Sequence, residues 1–240
     1  SGQETIVSKQ LESAGDYRGY NFIIHRSGAN YTLRFSLIND AVSPLQYLYV
    51  WGTTSMSQYT WYHVVVTYDG SNVAAGVKFY IDSASETTTT NKDTLGANTT
   101  LNSADFNIGE RHSSGGQHYH GSMCEVAVFD YELTSANVTT IYNSGKPADL
   151  TSLSPVGWWR LGEQSFWDGT NFVVRDQIGS NDGTSANMAT DDLTGNAPNT
   201  SGSGTSSGLA VDDRMGDLKY SEQNAVSFNM AYATRVTSVP

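Results

Sequence analysis

Two histidines close together are the residues with the best spacing for metal chemistry. His118 and His120 are separated by one residue, so in an extended segment both side chains point to the same face. Glu110 and His112 lie nearby across a Gly-rich segment, and imidazole with carboxylate is a ligand set for transition metals. The pattern also fits a polar variable loop with ordinary surface histidines, and we favour that interpretation.

Aromatic residues near the expected loop ends are candidates for carbohydrate binding. Sugar sites combine an aromatic platform with nearby amide or carboxylate side chains. The candidate platform residues are Trp51, Tyr59, Tyr47 and Tyr119. The same rings could instead fill a core or a subunit interface, where aromatic residues are also enriched. The sequence leaves both interpretations open.

Carboxylates are not arranged as a pair for acid–base catalysis. Glu125 and Asp130 are five residues apart, which predicts that they point to opposite faces of a strand. Glu132 lies at the turn into a predicted helix, so polar residues around a strand end explain all three best. The chain also has no phosphate-binding loop motif, no dinucleotide motif and no Gly-x-Ser-x-Gly motif. We therefore predict that the protein is not an enzyme.

The amino-acid composition of the chain limits the classes of molecule that it is expected to bind. Among 240 residues, Lys and Arg number 13 and Asp and Glu number 24, which gives a net charge of -11. A chain this acidic repels phosphate backbones and anionic lipid, so we predict no nucleic-acid binding. No apolar run is long enough to span a bilayer, so no membrane insertion is expected. The single cysteine, Cys124, excludes an intrachain disulfide.

Short segments rich in Val, Ile, Tyr and Phe run from Thr5 to about Asp130 and predict β-strands. Turn residues separate them, for example Ser27-Gly28, Asn39-Asp40 and Asp69-Gly70. In WYHVVVTY, residues 61–68, both faces are largely apolar, which predicts a central strand that is covered on both sides. His63 in this strand is expected to be a hydrogen-bonded core histidine.

One short helix is predicted after the strands. Thr134 suits the N-cap position, and Leu133 could pack against Val138 across the first turn. Gly145 suits the left-handed position that follows a helix, and Pro147 prevents continuation. We expect this helix to lie on the edge of a sheet.

The amino-acid composition changes after the predicted helix, which predicts a domain at 1–150 and an extension at 151–240. VGWWRLGE and NFVVRDQIGSNDG are strand-like. Residues 194–208 nearly lack large apolar side chains and are expected to form a flexible linker or a long surface loop. The final segment, AVSFNMAYATRVTSVP, could pair as a strand against another element.

Two blocks of the sequence resemble a known family. YTWYHVVVTYDGSN followed by VKFYID resembles the central hairpin of laminin-G-like and concanavalin-A-like domains. FNIGERHSSGGQHYHGSMCEVAVFDYELTSANVTTIYNSG resembles their closing block, and together the match covers roughly Thr5 to Lys146. The resemblance implies an all-β fold, a two-sheet antiparallel jelly-roll β-sandwich with one short helix, followed here by a polar C-terminal extension.

The sequence departs from the family pattern in two places. Cys124 stands where the family often has an acidic residue, and the family's opening strands do not precede TIVSK. VGWWRLGE with VVRDQIGSNDG resembles that opening block. It could begin a second domain of the same kind, or it could supply edge strands to this sandwich or to a neighbour's.

The resemblance also implies ligand chemistry. Laminin-G-like domains often bind Ca²⁺ at the sandwich rim through an Asp and backbone carbonyls, because this ion prefers hard oxygen ligands. Ca²⁺ is therefore a candidate ligand here, and the available carboxylates are Asp69, Asp82, Asp105 and Asp16. Glucan-cleaving enzymes of this fold need a Glu-x-Asp-x-x-Glu strand, and the nearest segment here, from Glu125 to Glu132, lacks that spacing.

Short runs in the extension resemble structural proteins of marine tailed bacteriophages, which carry lectin-like domains on capsids, tails or fibres. These runs are GWWRLG, SNDGT and NM. We predict a non-enzymatic structural protein on the virion surface or outside the cell. Its expected partners are other virion subunits or further copies of the same chain, and it could also contact host glycans. The alternatives are an extracellular Ca²⁺-dependent carbohydrate-binding lectin module and a glycoside hydrolase.

Overall fold

Strands dominate the computed structural model, which describes residues 2–12, 16–39, 45–96, 99–111, 117–162, 164–194, 197–198, 210–211, 218–220 and 229–236. In chain order the strands are β1 (Gly2–Gln10), β2 (Gly19–Ser27), β3 (Asn30–Ile38), β4 (Tyr47–Gly52), β5 (Trp61–Tyr68), β6 (Val77–Ile81), β7 (Ala84–Ser85), β8 (Thr88–Asp93), β9 (Phe106–Ile108), β10 (Gly121–Phe129), β11 (Gly157–Trp159), β12 (Phe166–Trp167), β13 (Phe172–Val174), β14 (Gly183–Thr184), β15 (Leu193–Thr194), β16 (Ala210–Val211), β17 (Leu218–Tyr220) and β18 (Asn229–Val236). The α-helix within the described residues is α1 (Ser135–Tyr142), and short 3₁₀ turns occupy Ala74–Gly76, Asn143–Gly145, Thr151–Leu153 and Thr190–Asp192.

The strands form two large antiparallel sheets. The first sheet has the order β17-β9-β1-β2-β3-β4-β8. The second has the order β15-β16-β10-β18-β5-β6-β7, and β11 pairs with β10 beside that path. A small sheet, β12-β13-β14, lies in the C-terminal part of the chain. Strands that are adjacent in sequence mostly pair as hairpins, for which tight turns such as Gly28, with a φ of 61°, are required.

The main hydrophobic core lies between the two large sheets. It takes side chains from both, for example Phe22 and Val50 from the first sheet and Phe79 and Val126 from the second. The Phe22 and Phe79 rings stack across the interface with centroids 5.9 Å apart. Sheets that face each other over such a core form a β-sandwich. The predicted all-β sandwich with one short helix is therefore confirmed.

Strand β5 is central and covered on both sides, as predicted. It pairs with β6 on one edge and β18 on the other. Val64 and Val66 belong to the core between the sheets. Val65 belongs to a second cluster on the outer face, together with Val138 and Ile141 of α1. The helix therefore closes the outer face of the second sheet over its central strands, so the expectation that it lies on a sheet edge was wrong.

Helix α1 begins as the sequence predicts and ends slightly earlier. Thr134 is the N-cap and forms a capping box with Asn137, which satisfies two backbone N–H groups of the first turn. Asn143, with a φ of 45°, takes the first left-handed position after the helix, so Gly145 (φ 81°) lies two residues beyond the C-cap. Asn tolerates this conformation better than other non-glycine residues.

The C-terminal part contributes strands to the second sheet. β11 pairs with β10 over Val126 to Val128, and β18 lies between β5 and β10. The final segment thus pairs with this chain's own sheet. Most of the segment 194–208, expected to be a linker or loop, lies outside the described residues. The division into 1–150 and 151–240 stays a prediction. Within the described part of the chain, no helix is long and apolar enough to cross a membrane.

Candidate functional site

One face of β4 carries a stripe of three aromatic side chains. Leu48 and Val50 point into the core, whereas Tyr47, Tyr49 and Trp51 lie on the outer face of the first sheet and are partly exposed. This alternation is the pleat of a strand with one face buried. The Tyr49 and Trp51 rings meet edge to face with centroids 5.5 Å apart, a favoured aromatic geometry. We call these three residues the aromatic stripe.

Arg34 of β3 lies against the aromatic stripe. Its guanidinium carbon is 4.0 Å from the centroid of the Trp51 ring and 5.9 Å from that of Tyr49. Nη1 donates a hydrogen bond to the Tyr49 hydroxyl at 3.3 Å. Nε has no hydrogen-bond partner among the described residues. The two rings therefore hold the guanidinium in place, and Nε is buried, so it is not a donor that a ligand can reach from solvent.

The charge around the aromatic stripe is opposite to that of the whole chain. The direct cross-strand neighbours of Tyr49 and Trp51 are two cations and two hydroxyls: Arg34, Lys92, Ser36 and Thr89. Burial, and secondarily the positive charge of Arg34, lower the pKa of His25 on the adjacent strand β2. A chain with a net charge of -11 thus presents positive charge here. Such a local field favours an anionic ligand.

A hydrogen-bonded row of amide and hydroxyl side chains runs from the aromatic stripe across the first sheet. Ser36 donates to Oδ1 of Asn21 at 2.8 Å, and Nδ2 of Asn21 donates to Oε1 of Gln10 at 2.8 Å. Ser36 is the cross-strand partner of Tyr49, so this row ends at the stripe. The row positions the polar groups next to the rings because each member fixes the orientation of the next.

Two of the four predicted carbohydrate residues come together, and two lie apart. Tyr47 and Trp51 are both in the aromatic stripe. Tyr59 is 53% exposed and lies in the turn before β5, with a φ of 58°. Tyr119 is 1% exposed within the main core, so its ring faces are not available to a ligand. For Tyr119 the alternative interpretation, a core aromatic, describes its position.

Arg34 and Tyr49 are the site residues that the sequence analysis missed. The alternation in YLYVW places Tyr49 on the same face as its two neighbours, so the pattern alone could have indicated it. Arg34 is 17 residues from Trp51 in sequence, and only the register of β3 against β4 makes them opposite each other. No local signal predicts that contact.

The predicted metal-binding residues are spread over the molecule. Asp69 caps its own turn by accepting from the backbone N–H of Ser71 at 2.9 Å, and its pKa is lowered, first by the side-chain hydrogen bond of Ser71 and then by this backbone contact. Asp82 accepts from the backbone N–H of His63 at 2.8 Å, while burial raises its pKa. Among the residues that the structure describes, no three His, Cys, Asp or Glu side chains form a metal-binding group.

Asp16 pairs with Arg18 at 2.6 Å, and the other metal candidates lie around β9 and β10. Asp105 directly precedes β9, and His120 directly precedes β10. Nδ1 of His118 is 3.8 Å from Oε1 of Glu110, which is outside ordinary hydrogen-bond distance. His112, the other histidine of this group, lies outside the described residues. A transition-metal site on these histidines therefore stays a prediction.

Glu125, the first of the carboxylates considered for catalysis, is held by two other side chains. Arg160 Nε donates to its Oε1 at 2.7 Å, and Trp158 Nε1 donates to its Oε2 at 2.9 Å. The residue sits in a β-bulge with a φ of 57°, so the strict alternation that we expected for β10 fails here. Of the other two, Glu132 pairs with Lys78 at 2.7 Å. The ion pair and bulge give Glu125 a structural role.

A cavity of about 120 Å³ lies on the other side of the sandwich, between α1 and the second sheet. Trp61, His63 and Tyr142 are among the residues that line it. The His63 ring is 5.7 Å from the Tyr142 ring, and neither ring nitrogen has a hydrogen-bond partner among the described residues. The expected hydrogen bonds of a core histidine are therefore not made. Burial lowers the pKa of His63 to about 4, so the ring is neutral at pH 7.

Comparison with known proteins identifies the family. Residues 1–139 match a laminin-G family model described as the concanavalin A-like lectin/glucanases superfamily. No curated protein and no solved structure matches the chain. The matched region spans more than half of the chain and includes β1 to β10, from which most of the sandwich is built. The chain belongs to the concanavalin A-like lectin/glucanase superfamily.

Proposed function

We propose that this protein binds glycans without cleaving them, at the aromatic stripe and Arg34. The observation that carries the proposal is the Arg34 guanidinium, 4.0 Å from the Trp51 ring centroid and beside three partly exposed aromatic side chains. Aromatic faces pack against the apolar face of a sugar ring, and a guanidinium fork binds a carboxylate or sulfate. The preferred ligand is therefore an acidic sugar.

The proposal that the glycan is not cleaved rests on the carboxylates, which are already bound to other side chains. Glycoside hydrolysis needs two carboxyl groups that flank one bond. Glu125 is occupied by Arg160 and Trp158, and Glu132 by Lys78. The direct cross-strand neighbours of Tyr49 and Trp51 include no carboxylate. Among these direct neighbours, the aromatic stripe thus has no pair of carboxyl groups to act as acid and base.

Binding is tested with a uronic-acid oligosaccharide and its carboxyl-reduced, neutral counterpart, measured by calorimetry on the full chain. Trp51→Ala should weaken binding of both sugars at least about tenfold, a loss of about 1.4 kcal/mol. Arg34→Gln should weaken only the acidic sugar by a similar factor, because the neutral sugar has no charge to pair.

Tyr59→Ala is the matched control, since it removes an exposed tyrosine outside the stripe. The bound sugar should be recovered intact, and a chelator should leave affinity unchanged. Saturable binding that Trp51→Ala does not alter would place the site elsewhere. Release of new reducing ends would favour the glycoside hydrolase, and chelator-sensitive binding would favour the Ca²⁺-dependent lectin.

We further propose that this binding module is a structural component of a tailed-phage particle, exposed on its surface. The support is the resemblance of GWWRLG and SNDGT to phage structural proteins. Gold-labelled antibodies against the chain should decorate purified particles in electron micrographs. Particles that stay unlabelled while the chain is recovered free from the medium would contradict this role.

A further inference from the structure

The cavity between α1 and the second sheet is lined mostly by apolar and aromatic side chains. Its volume is about 120 Å³. The aromatic residues that line it are Trp61, Tyr62 and Tyr142, and Ile141 and Leu150 add aliphatic surface. An engineered apolar cavity of about 150 Å³ accommodates benzene. The space beneath α1 is therefore of the right size for a ligand that is built on one six-membered ring.

A ligand can reach the cavity from the C-terminal end of α1. Gly145 and Lys146, which follow the helix, line the cavity and are exposed to solvent. Ile141 and Leu150 pack together with Val65 of β5 in the cluster on the outer face of the second sheet. The contact between helix and sheet is therefore intact beside the cavity, and a ligand can enter without separating the two.

His63 brings hydrogen-bonding capacity to the cavity. Both of its ring nitrogens are buried, and neither has a hydrogen-bond partner among the described residues. The ring is neutral at pH 7, so one nitrogen can donate a hydrogen bond and the other can accept one. A buried donor or acceptor without a partner costs free energy. A hydroxyl group on a ligand can satisfy either nitrogen, because a hydroxyl both donates and accepts.

The charges around the cavity favour an uncharged ligand. Asp82 and Glu125 both line the cavity, and two carboxylates disfavour an anion. Glu125 is already paired with Arg160 at 2.7 Å, and Lys146 places a second positive charge among the lining residues. The two carboxylates are thus matched by two cations, so a cationic ligand gains little from the local field.

We propose that this cavity is a second binding site, which takes a small uncharged aromatic ring that carries a hydroxyl group. The ring packs among Trp61, Tyr62 and Tyr142, and the hydroxyl forms a hydrogen bond with the imidazole of His63. The cavity lies on the outer face of the second sheet, whereas the aromatic stripe lies on the outer face of the first. The inference therefore depends neither on glycan binding nor on the virion role.

Phenol is the probe, and toluene is its counterpart without the hydroxyl, both measured by calorimetry on the full chain at pH 7. Phenol should bind with a dissociation constant of about 1 mM or lower, which a ligand of this size can reach. His63→Phe should weaken phenol about tenfold and change toluene by less than about threefold, because only phenol loses a hydrogen bond. His25→Phe, on β2 of the first sheet, is the matched control for the loss of one imidazole and should change neither.

Ala148→Leu provides a second and independent variant. Ala148 lines the cavity and packs against the cluster beneath α1, so the added methyl groups would occupy the space of the ligand. Phenol and toluene should both lose binding. Trp51→Ala removes the central platform of the aromatic stripe and should leave both affinities unchanged, which separates this site from the proposed glycan site.

Three results would overturn the proposal. Absence of saturable phenol binding to the parent chain would remove the site, and phenol binding that survives both His63→Phe and Ala148→Leu would place it elsewhere. A methyl glucoside that binds more tightly than phenol, and is lost in His63→Phe, would show that the cavity takes a sugar instead. Failure of the uronic-acid oligosaccharide to bind would contradict the proposed function at the aromatic stripe and leave these outcomes unaffected.

Discussion

Replacing Trp159 with alanine should lower the free energy of unfolding by about 4 kcal/mol. Trp159 is 2% exposed and belongs to the main core between the sheets. Its ring stacks on Phe106 of β9 with centroids 5.5 Å apart, and its Nε1 donates to the Asn181 carbonyl at 2.8 Å. Truncation removes an aromatic contact between the two sheets and leaves a cavity that a close-packed core cannot fill.

Trp167→Ala is the matched control for this loss. Trp167 also belongs to the C-terminal part, but it lies in the small third sheet and is 37% exposed. Its replacement should lower the free energy of unfolding by about 1 kcal/mol or less, as is usual for partly exposed positions. Denaturant unfolding of both variants checks the difference. Equal, small losses would mean that β11 adds nothing to the core, and would favour a domain that ends before it.

The fold was predictable because its determinants are local and repeated. Alternation within 47–51 indicates which side chains face the core, and the apolar residues on both faces of 61–68 indicate a central strand; neither inference needs the strand order. The Thr134 cap and the apolar side of α1 were equally readable, since both depend on residues within one or two turns. The family resemblance rested on two blocks that include 61–68 and the helix, so it implied the sandwich and its single helix together.

The parts that could not be predicted depend on pairings between distant segments. Arg34 meets Trp51 only through the register of β3 and β4. β18 enters between β5 and β10 although it is more than 90 residues from either along the chain. The bulge at Glu125 shifts the register of β10, and nothing in CEVAVF indicates a left-handed glutamate. The register of each strand is set by its neighbours across the whole sheet, whereas a sequence pattern specifies only which side chains share a face.

His63 illustrates a different limit, because its burial was predicted and its chemistry was not. Its backbone is fully paired with the turn after β6: its N–H donates to Oδ1 of Asp82, and its carbonyl accepts from the Asp82 N–H, both at 2.8 Å. The imidazole nitrogens have no partner among the described residues. A neutral ring can be buried in this way at modest cost, whereas an imidazolium cannot.

Acidification should therefore destabilise the protein through His63. The folded state holds this group at a pKa of about 4, and the unfolded chain returns it to 6.5. Between these two values the unfolded state binds more protons, so the free energy of unfolding falls as the pH falls. The contribution is absent above about pH 6.5 and reaches about 3 kcal/mol near pH 4, at 1.36 kcal/mol for each pKa unit.

His63→Phe isolates this contribution, because it keeps an aromatic ring against Tyr142 and removes the titrating nitrogens. At pH 7 the variant should be at least as stable as the parent, since two unpaired polar atoms leave the interior. At pH 4.5 it should be more stable by about 2 kcal/mol or more, as most of the proton uptake is then avoided. Asp82, whose raised pKa acts in the opposite direction, contributes equally to both chains and cancels.

Denaturant unfolding at the two pH values gives the comparison, and His118→Phe, at a side chain that is 44% exposed, controls for the loss of one imidazole. If His63→Phe and the parent lose stability in parallel on acidification, the ring is hydrated or paired in solution and the cavity beneath α1 is open to water.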